Sequence, residues 1–244
     1  VPRLRLPRLP RPTEGEAERA AAAAAATAVP SSRRIAGLAL MVMALLLVGR
    51  VFGVLDDVVK ASLFGTRDEL GAYIAAFQLP ELLNNLISGG ALAAAFIPVF
   101  AGQLARGERA AAWRLASNVL NVTFLITLVC GLLIVAAAPW LAAHVVVPGY
   151  APELQALTAG LMRFIVISMV LFSISGIAFS VLNAHQHFLL PALAPICYNV
   201  GVVGGAILLA PRYGVWGLAY GAVAGMLFNV LIQLPGLRHY GMRW

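Results

Sequence analysis

The sequence predicts an all-helical, polytopic membrane protein with six crossings, on three observations. First, 61% of its 244 residues are hydrophobic and 11% are charged, against about 25% charged in an average soluble domain. A soluble fold of this composition could not cover its own surface. Second, the apolar residues come in long unbroken runs rather than in alternation. That selects helices over a closed barrel, the two structures that satisfy every backbone polar group in lipid. Third, the arginines gather in the connections, alternating rich and poor, as they do where a chain crosses a bilayer repeatedly.

Residues 1–34 contain a Pro/Arg repeat, a short acidic patch and an alanine run, and nothing in them can bury a core. A disordered, basic cytoplasmic tail is expected. Its seven arginines (Arg3, Arg5, Arg8, Arg11, Arg19, Arg33 and Arg34) come without aromatic residues to stack on bases, which argues against nucleic acid and for attraction to lipid headgroups. The apolar run from Ile35 continues directly into Arg50 with no small-residue cleavage site, so the first helix is expected to be retained rather than removed as a signal peptide.

The predicted spans lie near 35–62, 70–101, 115–138, 155–181, 189–210 and 214–235, each at or above the roughly 20 residues that cross a bilayer. Pro80 removes a backbone hydrogen bond inside the second, and Gly89-Gly90 weaken it further on, so a bent or broken helix is expected there. Gly217, Gly221 and Gly225 recur every four residues in the sixth span, and Gly201, Gly204 and Gly205 do similar work in the fifth. Smooth faces of this kind let helices approach closely. Arg106, Arg109 and Arg114, with Arg238 and Arg243, mark one side of the membrane, the side of the basic tail. The positive-inside rule then puts both termini in the cytoplasm, which an even number of crossings requires.

The polar residues at membrane depth concentrate in the first two spans. A charge there costs about 2.5–3.5 kcal/mol on insertion scales, so it is expected to face protein or water. Arg50 and Asp57 are seven apart and project within about 20° of one another on an ideal helix. Asp56 and Asp57 precede Lys60 by four and three residues, the spacing of intrahelical ion pairs. In the second span Gln78, Glu81, Asn85, Ser88 and Gly89 share one face, a stripe that reads equally well as interhelical hydrogen bonding or as the lining of a hydrated lumen. Arg163, Asn199 and Asn229 lie in later spans, while His185 and His187 fall in a short turn and read as loop residues. Cys130 and Cys197 read as small apolar fillers. No metal-ligand spacing, phosphate loop or nucleophile motif occurs, so no catalytic residue, metal or cofactor is assigned.

From Gly49 to Met242 the sequence resembles the lipid II flippases, the MurJ/MviN family of the multidrug/oligosaccharidyl-lipid/polysaccharide exporter superfamily. The residues that carry the resemblance begin with Arg50-Val51-Phe52-Gly53, Phe64-Gly65 and Ala72-Tyr73. They continue through Ala76-Phe77-Gln78-Leu79-Pro80, Gly90-Ala91 and Ala95-Phe96-Ile97-Pro98. Later come Ala138-Pro139-Trp140, Pro148-Gly149-Tyr150, Leu182-Asn183, Pro191-Ala192, Ala194-Pro195, Asn199 and Gln233-Leu234-Pro235. Their order and spacing together are specific.

The resemblance implies one six-helix lobe, the N-terminal one, of a two-lobe flippase in the bacterial cytoplasmic membrane. It implies transport of an undecaprenyl-linked peptidoglycan precursor from the inner to the outer leaflet through a cationic cavity. Coupling to membrane potential or to a monovalent ion also follows from it. Arg50 falls on the family's first-helix arginine. Asp56 stands where a second arginine is usual, with Asp57 the retained neighbouring acid; Gly71 and Asn84 stand where an acid and an arginine occur in other members. The cavity candidates are therefore Arg50, Asp57, Gln78, Glu81, Asn84 and Asn85, with Asp56–Lys60 as an intrahelical pair. The implied partners are lipid II or a related polyprenyl-pyrophosphate saccharide, membrane lipids, a C-terminal lobe and cell-wall synthesis proteins. The alternatives are a non-transporting scaffold in cell-wall synthesis and an exporter of another polyprenyl-linked saccharide.

Overall fold

The computed structural model describes residues 32–65, 67–88 and 90–240. The tail expected over 1–34 lies outside these residues except for Ser32–Arg34, which belong instead to the first helix. The unit Val1–Met41 contributes the start of that helix, and the unit Val42–Trp244 carries all that follows.

The described residues are all helical or in short turns. Helix α1 runs Ser32–Phe64, α2 Asp68–Ser88, α3 Gly90–Ala105 and α4 Arg109–Leu141, prolonged by a π-helical turn at Ala142–Val146. Helix α5 runs Pro152–Ala184, α6 Leu189–Leu208, α7 is the single turn Ala210–Tyr213, and α8 runs Val215–His239. Among the described residues, four segments are long and apolar enough to cross a membrane: Arg109–Val146, Pro152–Ala184, Leu189–Leu208 and Val215–His239. In the stretch expected as one broken span, α2 incorporates Pro80, while residue 89, in the Gly pair where a further weakening is expected, lies outside the described residues.

Turn chemistry fits the boundaries. Gly65 and Gly107 follow α1 and α3 with φ of 57° and 78°, a left-handed conformation that residues with a β-carbon adopt at a cost. Pro152 opens α5, with Glu153 in its first turn facing the positive end of the helix dipole.

Helix α5 is the hub, packing against α4, α8 and α2. Its residues Leu161, Met162, Ile165 and Met169 join Phe64 of α1, Tyr73 and Ala76 of α2, Ile134 of α4 and Leu218 of α8 in one apolar core. Ile177, Val181 and Leu182 join Phe96 and Phe100 of α3, Ala116 and Leu120 of α4 and Leu237 of α8 in a second. Between these segments of α5 lies a buried polar layer. Thr127 donates to Ser173 at 3.1 Å, Ser175 donates to the Asn229 side chain, and Gln233 donates to Ser175 at 2.7 Å. These bonds tie α4 and α8 to α5 where no water is available, a role worth about 0.6–2 kcal/mol per bond in membranes.

Helices α6 and α8 approach most closely. A β-carbon on Gly221 would stand 2.7 Å from the Gly205 Cα and 2.8 Å from the Gly201 carbonyl oxygen, so the two backbones touch. Arg163 has a structural explanation of a different kind. Pro139 cannot donate to the carbonyl of Val135 four residues back, and the Arg163 Nε supplies that donor at 3.1 Å from across the α4–α5 contact.

Candidate functional site

Helix α1 presents an inward line of residues at helical spacing. Phe52, Gly53, Asp56, Val59, Lys60 and Phe64 are buried or half-buried, and Gly49 accepts a hydrogen bond from Asn199 of α6 at 3.3 Å. Asp56 is on that line, 7% exposed, with its Oδ2 2.6 Å from the Lys60 Nζ. Its Oδ1 is buried without a hydrogen-bond partner. The Asp57 carboxylate lies 3.7 Å from the same ammonium, but its side chain is 83% exposed. Lys60 therefore sits between two acids, one buried and one open, and the i,i+4 spacing read from the sequence is a real contact.

Tyr73 of α2 and Tyr198 of α6 lie within electrostatic range of the Asp56 carboxylate, and Glu81 of α2 is in range of Tyr198. Tyr198 carried no signal in the sequence, because a tyrosine in an apolar run reads as core.

Arg50 and Asp57 lie on the exposed shoulder of α1, seven residues apart as the helical phase requires. On α2 the exposed residues Gln78, Glu81 and Asn85 form one stripe, while Ala72, Tyr73, Ala76, Pro80 and Asn84 are buried. Asn84 is thus separated from the stripe: it is 7% exposed, with Oδ1 lacking a partner. The side chain of Ser88 and the whole of residue 89 lie outside what the structure describes. Two hollows of about 480 Å³ and 560 Å³ adjoin along the α2 stripe and share Gln78. The first runs under the connection Val147–Tyr150, which Gln155 holds by donating to the Val147 carbonyl at 3.3 Å. The second is lined by Gln78, Glu81 and Asn85 with Leu82 and Leu86.

His185 and His187 are more engaged than loop residues would be. The His185 ring stacks on Tyr240 at 4.3 Å and contacts Phe100 and Trp113, while the His187 Nδ1 is 3.3 Å from the Tyr240 hydroxyl. This aromatic group pins the α5–α6 turn to the ends of α3, α4 and α8. Cys130 and Cys197 are free and half-buried. Among the described residues no group of three His, Cys, Asp or Glu side chains is placed to hold a metal ion.

Arg50 and Asp57 offer an open cation and an open acid on α1, α2 carries an amide-bearing groove, and Asp56 and Lys60 form a largely buried ion pair. The family profile for lipid II flippase MurJ matches residues 60–244, a range that includes Lys60 and the α2 stripe and begins beyond Arg50, Asp56 and Asp57. A lipid II flippase MurJ of Burkholderia cenocepacia is 31% identical over 210 residues, covering 83% of this chain and 40% of that protein. A probable lipid II flippase MurJ of Thermotoga maritima is 28% identical over 78% of the chain and 39% of its own length. A solved structure, lipid II flippase MurJ in an inward closed conformation, superposes with a TM-score of 0.64 at 22% identity, over 82% of this chain and 41% of that one. The chain therefore spans about two fifths of the length of these relatives. By its family profile and its relatives, this chain belongs to the lipid II flippase MurJ family.

Proposed function

We propose that this chain is the N-terminal lobe of a flippase that moves the undecaprenyl-linked peptidoglycan precursor lipid II from the inner to the outer leaflet of the cytoplasmic membrane. The observation that carries this reading is the family match over two fifths of its relatives' length. It is supported by a charged and amide-bearing face on α1 and α2 that an isolated apolar bundle has no use for. In this reading α1 and the α2–α3 pair cross the membrane with the four apolar helices, giving six crossings. Both ends of the chain face the cytoplasm, as the arginines of the α3–α4 connection argue. An impermeant thiol reagent should then label a cysteine at Gly149 from outside the cell only.

Arg50 supplies the fixed cation for a pyrophosphate, because its planar guanidinium binds phosphate oxygens in pairs. A second lobe completes the cavity and rocks against this one, since alternating access operates between repeats around a central site. Replacement of Arg50 by alanine in the complete transporter is expected to slow lipid II translocation in proteoliposomes by at least about tenfold. Arg50→Lys is expected to restore part of the rate. Translocation by Arg50→Ala at the unaltered rate and protein level would remove Arg50 from the substrate path.

A specific observation favours a second reading, a scaffold that no longer transports: Lys60 is committed to Asp56 and Asp57, leaving Arg50 as the one described cation of α1 and α2 at membrane depth outside an ion pair. The translocation assay separates the two readings, because a scaffold gives no Arg50-dependent rate.

A further inference from the structure

We infer that the exposed stripe of α2 binds the uncharged, hydroxyl- and amide-bearing saccharide of the transported headgroup and does not bind its pyrophosphate; this rests on the lipid-linked substrate proposed above. Glu81 gives the first reason. A carboxylate turned to lipid costs about 2.5–3.5 kcal/mol, and Gln78 and Asn85 beside it bring four further amide donor and acceptor groups to the same face. A stripe so composed is stable where water or a polar ligand meets it.

The donor and acceptor set gives the second reason. Each amide side chain both donates and accepts, and Glu81 accepts. Sugar hydroxyls and N-acetyl groups also donate and accept, so they match such a set without either partner being left unpaired. From Gln78 to Asn85 the stripe extends about 10 Å along the helix at 1.5 Å per residue. Leu82 and Leu86 flank it with apolar surface suited to the C–H face of a sugar ring. Tyr150, 38% exposed, also lines the adjoining hollow. Its hydroxyl lies 2.8 Å from the point a β-carbon of residue 71 would occupy, so glycine there is what lets the phenol lie across α2.

Charge gives the third. No lysine or arginine lines either hollow among the described residues, and Glu81 is the acidic side chain that does. Lys60 is held by Asp56 and Asp57. A pyrophosphate in the α2 groove would meet a like charge with no cation to offset it, a juxtaposition that rejects a ligand rather than recruits one. The anion and the sugar are therefore bound by different parts of the protein, the sugar by α2.

The test uses the complete transporter, purified in detergent micelles, and the neutral disaccharide N,N′-diacetylchitobiose, followed by saturation-transfer NMR. Lipid II binding to the same samples is followed by native mass spectrometry. Binding of the disaccharide is expected, with inorganic pyrophosphate failing to compete. Glu81→Gln and Asn85→Ala, both at exposed positions and checked for unchanged helicity, are expected to weaken it by on the order of tenfold each, the loss typical of a hydrogen bond to or from a buried-on-binding polar group. Equal disaccharide binding by wild type and both variants, competition by pyrophosphate, or lipid II binding without disaccharide binding would overturn the inference and leave the flippase reading standing. Binding of neither lipid II nor disaccharide would overturn both.

Discussion

Lys60→Ala is expected to deplete folded protein from the membrane, and Asp56→Ala in the same chain is expected to restore most of it. Asp56 is nearly sealed from solvent, and Lys60 holds one of its oxygens at 2.6 Å. Removing one partner of a buried ion pair strands the other charge, at a cost of about 3–5 kcal/mol. That is a large part of the roughly 5–15 kcal/mol that separates folded from unfolded in an ordinary domain. Removing both partners leaves no stranded charge, so most of that cost is avoided. Asp57→Ala should change little, because its carboxylate is open and 3.7 Å from the lysine, and exposed pairs contribute about 0–1 kcal/mol. Thermal midpoints in detergent and membrane protein levels for the two single variants and the double variant give the coupling directly. A silent Lys60→Ala, or an Asp56→Ala change that worsens it, would show that the pair is not what neutralises Asp56.

A comparably large effect is expected at Gly221. Alanine there places a methyl group 2.7 Å from the Gly205 Cα and 2.8 Å from the Gly201 carbonyl oxygen. Overpacking costs about 1–3 kcal/mol even where side chains can yield. Here both obstacles are backbone, so α6 and α8 must separate along their length and lose the close packing that holds helices together in lipid. Gly204→Ala is the control, because a β-carbon at that position meets nothing within 4 Å. Gly221→Ala is expected to lower the thermal midpoint well below both wild type and Gly204→Ala. Equal midpoints for the two alanine variants would mean that the helices stand further apart.

The apolar runs made the helical class legible, since continuous hydrophobicity at lengths near a bilayer's thickness leaves few other structures. The third run shows how local chemistry moves a boundary. Its expected end at residue 138 becomes a helix to Leu141 and a π-helical turn to Val146. Pro139 is admitted because Arg163, twenty-eight residues away in sequence, satisfies the carbonyl that proline leaves open. Such a repair is invisible in a single segment's pattern. The glycine faces of the fifth and sixth spans were readable for what they are, because a repeat of four on a helix has one mechanical use.

The site was legible by spacing and opaque in direction. Helical phase puts Asp56 four residues before Lys60 and groups Gln78, Glu81 and Asn85, and those relations appear in the structure. Phase cannot say which face packs against a neighbour, so Asn84 shared a list with residues from which its burial separates it. Contacts between distant segments were the least accessible: Tyr150 lying on Gly71, Tyr198 near Asp56, and the Tyr240–His185 stack depend on how helices meet.

The measurement that tests the lobe's role most directly is photo-crosslinking in the complete transporter in living cells. A photoreactive residue is placed in turn at Arg50 and Glu81, on the polar faces of α1 and α2, and at Leu132 and Leu133, which are 59% and 64% exposed on the apolar surface of α4. Lipid II contains a hydrocarbon tail that meets any lipid-facing surface, so the pattern across the four positions carries the information rather than any one signal. If α1 and α2 line the substrate path, saccharide-bearing adducts form from positions 50 and 81 and not from 132 and 133. Adducts from 132 and 133 without adducts from 50 and 81 would contradict it.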